Sequence, residues 1–91
     1  MNEEMRNNLI TAFRITVIKD LFHNNDASVA ACSTALDFMQ ILDLREEAGN
    51  IIHDVWGTYK TSPEKIEQEY KEIMTDVFAA TDKLLQPREC K

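Results

Sequence analysis

The 91-residue sequence has little glycine, proline, cysteine or tryptophan: two, two, two and one residue respectively. Each scarcity removes a class of protein. Phosphate-cradling loops need glycines that let several backbone N–H groups converge on an anion, whereas Gly49 and Gly57 stand apart in the chain. Nucleotide-binding fingerprints are therefore excluded. Cys32 and Cys90 have 57 residues between them, a spacing that fits neither a zinc site nor a disulfide framework. They read as free thiols of a reducing compartment, with Cys32 packing as a small hydrophobe. No stretch approaches 18 consecutive apolar residues, and the opening MNEEMRNN lacks the basic start and apolar run of a signal peptide. The expectation is a cytoplasmic chain without a membrane segment. Sixteen Asp and Glu against ten Lys and Arg leave a net charge of −6, which repels a phosphate backbone, so no nucleic-acid partner is expected.

What the sequence does contain is helical periodicity. Apolar residues make up 44% of it and charged residues 29%, a globular balance, and no segment alternates with the period of a strand. The pattern predicts an all-α fold, a small antiparallel bundle of four helices over residues 3–23, 26–42, 44–60 and 63–86, within a single domain 1–86 followed by a tail 87–91. Asn2 is a fitting N-cap for the first helix, with Glu3 and Glu4 at the end where the dipole favours acids. Asn25 or Asp26 caps the second, whose Val29, Ala31, Cys32, Ala35, Leu36, Phe38, Met39 and Leu42 fall on one broad face. Ser62 and Pro63 open the fourth, whose apolar stripe runs from Ile66 through Tyr70, Ile73, Met74, Val77, Phe78 and Thr81 to Leu84 and Leu85. Pro87 stops it.

Between the second and third helices the apolar phase decides. Leu44, Ala48, Ile51, Ile52, Val55, Trp56 and Tyr59 form a stripe turned well away from that of the preceding helix. Asp43 with Glu46 also matches a D-x-x-E form of the capping box. A break or kink near Asp43 follows, with Asp43 expected to cap the third helix.

The search for chemistry returns little. The two histidines, His23 and His53, are thirty residues apart and are preceded at the third position by Asp20 and Asn50, not by the Glu of di-iron bundles; no metal and no cofactor is expected. Ser28, Ser33, Ser62 and the cysteines have no histidine at a spacing that would activate them. Short-looped bundles also offer little concave surface. The chain is therefore read as non-enzymatic.

The stretch His53-Asp54-Val55-Trp56-Gly57-Thr58 resembles the H-x-L-K-G-S signature of histidine phosphotransfer domains, which are four-helix bundles of similar size. The resemblance implies an exposed, phosphate-accepting His53, with Trp56 standing where that family has lysine. A small-ligand site between helices or at an oligomer interface is a further alternative.

Two surface features point instead to binding. Residues 26–59 hold six acids and Arg45 as their one base; Asp43, Glu46, Glu47, Asn50 and Asp54 share one face of the third helix. That face is expected to meet a protein partner of basic character, because a patch of one sign steers association. The first helix is apolar on two sides. Leu9, Ile10, Phe13, Val17 and Leu21 make a core stripe, and Ile15, Ile18 and Phe22 make a second one, expected to bury itself in a two-fold homo-oligomer. The function expected is that of a protein-interaction module, either a homo-oligomeric adaptor or an inhibitor or immunity-type protein that occupies a basic site.

Overall fold

The computed structural model describes the backbone of residues 2–85 and the side chains through Asp76. The tail 87–91 with Pro87 and Cys90, and the side chains of the last stretch of the fourth apolar stripe, lie outside what is described. The fold is all-α. Four helices, α1 (Glu3–His23), α2 (Asp26–Ile41), α3 (Arg45–Thr61) and α4 (Pro63–Leu85), follow one another with no strand among the described residues. None is long and apolar enough to cross a membrane.

The helix ends follow from local chemistry. The Oδ1 of Asn2 accepts from the N–H of Met5 at 2.7 Å, satisfying one of the donors that the first turn cannot pair internally. At the next boundary Asn24 takes a left-handed conformation, φ 45°, which Asn tolerates better than most residues. Asn25 then caps α2 through a reciprocal pair: its side chain accepts from the Ser28 N–H, and the Ser28 hydroxyl oxygen accepts from the Asn25 N–H. The hydroxyl of Ser28 also lies 2.8 Å from Asp20 Oδ1 as a donor, so this cap ties α2 back onto α1.

The break at Asp43 is present, but its chemistry differs from expectation. Asp43 does not cap α3. The N-cap is Leu44, with no side-chain hydrogen bond, and Asp43 instead ends α2 in the left-handed region at φ 62°. Its N–H donates to the Gln40 carbonyl at 3.1 Å, and the Leu44 N–H donates to the Met39 carbonyl at 2.7 Å. These two bonds make a Schellman ending, and its usual hydrophobic contact is supplied by the buried pair Leu44 and Met39. Burial of Leu44 overrides the capping-box pattern because the chain must reverse within two residues to place it.

α1 is the hub. It packs against α2, α3 and α4, while α2 and α4 do not meet among the described residues. The core is built of Phe13, Val17, Ile18, Met39, Leu44, Ala48, Ile51, Val55 and Ile66. A helix surrounded on three sides must be apolar on more than one face, and this explains the second stripe of α1. Ile18 is 0% exposed within the single chain. Phe22 stacks on Tyr70 at 4.4 Å between ring centroids and meets Tyr59 edge-on at 6.0 Å, and Tyr70 Oη lies 3.1 Å from His23 Nε2. The expectation that Ile15, Ile18 and Phe22 form an intermolecular stripe is thus corrected for Ile18, which its own chain encloses. Phe22 is half-buried against α3 and α4, and Ile15 is half-buried at the edge of a groove between α1 and α2.

Candidate functional site

The acidic face was expected as a free, single-sign patch. Four of its members lie on α3 and Asp43 on the turn before it, but α1 neutralises part of the face. Glu47 is ion-paired with Arg6, and its own backbone N–H together with that guanidinium holds its carboxyl below the usual carboxylate range. Asp54 accepts from Arg14 Nη1 at 2.6 Å, and the same guanidinium grips Glu69 of α4 through Nε at 2.8 Å and Nη2 at 3.0 Å. The two-pronged bond to Glu69, then the bond to Asp54, hold Arg14 above its already high ordinary pKa against its partial burial. Arg14 therefore fastens three helices. Asp43, Glu46 and Asn50 remain exposed, and Arg45 shares a shallow hollow with Asp43, Glu46 and Glu47. Sequence reasoning could not find these ties, since Arg14 and Asp54 are 40 positions apart and periodicity reports only a residue's own helix.

The reactive side chains stay apart. His53 is exposed on α3, as the phosphotransfer resemblance implies, and Asp54 beside it is occupied by Arg14. Trp56, expected in the core stripe, is 44% exposed and touches Tyr59 edge-on. The stripe is too wide for the contacts α3 makes, and its outermost member is left outside. Cys32 is a half-buried free thiol packed on the core, pushed up in pKa by that burial and then by the charge of Asp20. Among the described residues no three His, Cys, Asp or Glu side chains gather closely enough to hold a metal.

The surface that stands out lies between α1 and α2. A hollow of about 180 Å³ is lined by Leu9, Ala12, Phe13, Thr16, Ala35, Phe38, Met39 and Leu42, none of them charged. Phe38 rises beside it at 60% exposure, Ile41 one turn further along at 76%, and Met5 at 54% shares the α1 face of Ala12 and Thr16. Toward the α1–α2 connection, past Thr16 and Ala31, the hollow gives way to a second groove of about 360 Å³ lined also by Ile15, Lys19, Asp20 and His23. The deepest residues of the first hollow are the buried Phe13 and Met39. A signal for this surface was present in the sequence: the apolar residues of the second helix span a face wider than one neighbouring helix can cover. No family model, curated protein or solved structure matches the chain.

Proposed function

We propose that this protein is a non-enzymatic helical interaction module whose contact surface is the apolar face of α1 and α2. The observation that carries this reading is the grouping of Met5, Phe38, Ile41 and Leu42, all exposed, around a hollow without a charged residue. Depletion of charge together with aromatic and Met side chains marks the centre of protein–protein interfaces. Leaving such side chains in water forgoes roughly 1.5–3 kcal/mol for each that could be fully buried. A chain this small has little stability to forgo. The acidic Asp43 and Glu46 with the neutral Asn50, on α3 and the turn before it, act in this reading as a rim that orients the encounter and not as the binding centre.

A photo-crosslinking amino acid placed at Phe38, and separately at Trp56 as a control on α3, tests the proposal in native extract. Adducts that form at Phe38 and not at Trp56 are expected. Equal labelling at the two positions, or none at Phe38, contradicts the assignment.

A further inference from the structure

We infer that the occupant of the α1–α2 face is a cationic amphipathic helix of another protein, an identification that rests on the interaction reading and adds the chemistry of the partner. The centre of the face sets the apolar half of that description. Its hollow of about 180 Å³ is smaller than the roughly 300–1,000 Å³ of small-ligand sites, and it suits anchoring side chains better than a whole small molecule. The lining runs along α1 from Leu9 to Thr16, about two turns or roughly 10 Å of helix. Apolar side chains at i, i+3, i+4 and i+7 of a helix laid in the groove span the same length. Phe38 at 60% exposure and Ile41 at 76% extend the apolar surface over α2.

The rim sets the charge. Asp37 precedes Phe38 and is one helical turn from Ile41, Asp43 follows Leu42, and both acids are exposed. At Leu42 and Asp43 the apolar hollow adjoins another that is lined by Asp43, Arg45, Glu46 and Glu47. The Arg6–Glu47 pair draws the first turn of α1 to the same end of the bundle. Residues 3–6 and 37–47 together hold six acids and two arginines, so four of the chain's six net negative charges gather here. Arg6 is taken up by Glu47, whereas Glu3, Glu4, Asp37, Asp43 and Glu46 are in no ion pair among the described residues. Asp54 and Glu69, by contrast, are answered within the bundle by Arg14. An apolar centre bordered by unanswered carboxylates complements large apolar anchors bordered by lysine or arginine, the pattern of a basic amphipathic helix. The same carboxylates oppose a second copy of the chain, whose rim carries equal charge, and an anionic membrane or nucleic acid.

The probe is a synthetic helix of about four turns with leucine along one face and lysine on the other, titrated into the purified full chain. Calorimetry reads the affinity and backbone amide shifts locate the contact. Binding that shifts Leu9, Phe38, Ile41 and Leu42 is expected. Phe38→Ala, which removes an exposed ring and nothing from the core, should weaken binding about thirtyfold, the size of an interface hot spot. Asp37→Asn, Asp43→Asn and Glu46→Gln combined should weaken it about tenfold, because each exposed ion pair lost is worth about twofold; asparagine tolerates the left-handed conformation at position 43. Glu64→Gln, Glu72→Gln and Asp76→Asn on α4 remove the same charge and should leave the affinity within about twofold of the parent's, since charges away from the face are screened. A parent that does not bind the lysine peptide, a glutamate-faced peptide that binds as well, or equal losses from the two triple variants overturns the inference. If the lysine peptide fails while Phe38 still crosslinks in extract, the interaction reading stands with a different occupant, a second copy where the adduct has double the mass of the chain. If both fail, the two readings fall together.

Discussion

Replacing Ile18 by Ala separates core from interface in the part of the chain where the two were hardest to tell apart. Ile18 is 0% exposed and sits among Phe13, Val17, Val55 and Ile66 in the core. The substitution deletes three carbons. At about 0.8 kcal/mol for each buried methylene the transfer loss is roughly 2.4 kcal/mol. The space left behind adds to this, because packed neighbours collapse only in part, and large-to-small changes of this kind cost about 2–5 kcal/mol. A loss near 3 kcal/mol is a large share of the 5–15 kcal/mol that a typical domain has, and in a chain of this size it lowers Tm by about 12–24 °C. The measurement is made by urea and thermal denaturation followed by circular dichroism. A loss below about 1 kcal/mol, the ordinary size of a surface change, would show that Ile18 is not enclosed by its own chain and would refute the packing of α1 at the centre of the bundle.

Other perturbations test the remaining joints. Asp43→Gly should stabilise the protein by about 0.5–1 kcal/mol, because the left-handed residue that ends α2 then carries no Cβ; a loss of stability in urea denaturation would restore Asp43 to a capping role. Arg14→Gln should cost about 1–2 kcal/mol, discounted for partial exposure, and Glu69→Gln in the same chain should cost less than it does alone, as a double-mutant cycle would show. Additive losses would mean that Arg14 does not fasten α4. The carboxyl of Glu47 is held below its unfolded value, so its stabilising effect is complete above the ordinary carboxylate range and is lost as pH falls through the lowered folded value. Denaturation across that acid range should therefore show a shallower pH dependence for Glu47→Gln than for the parent, and an identical slope would count against the tie to Arg6.

Helix positions were legible because they depend on local signals. Asn2, Asn25 and the phase shift after Leu42 act within a few residues, and the structure places helix boundaries close to each. Asp43 shows where local reading stops. Its D-x-x-E spacing fits the start of one helix, and its short polar side chain fits the left-handed end of another. The choice was made by Leu44, whose burial beside Met39 needs the tighter reversal. The second stripe of α1 was visible as a pattern, but whether α3 and α4 or another chain would cover it is a tertiary question that period alone does not answer. Arg6 and Arg14 were invisible for the same reason. Phe38 was assigned to the inner face of the second helix, and its exposure follows from α2 touching α1 and the start of α3 but not α4, so only part of its broad apolar arc is covered.

The central claim, that the contact surface is the α1–α2 face, is tested most directly by backbone amide spectra of the labelled parent with and without unlabelled native extract. Shifts or broadening are expected at Leu9, Ala12, Ala31, Phe38, Ile41 and Leu42, with the Trp56 indole and the amides of Gly49 and His53 unmoved. Changes centred on α3, or no change on the α1–α2 face, would contradict the account.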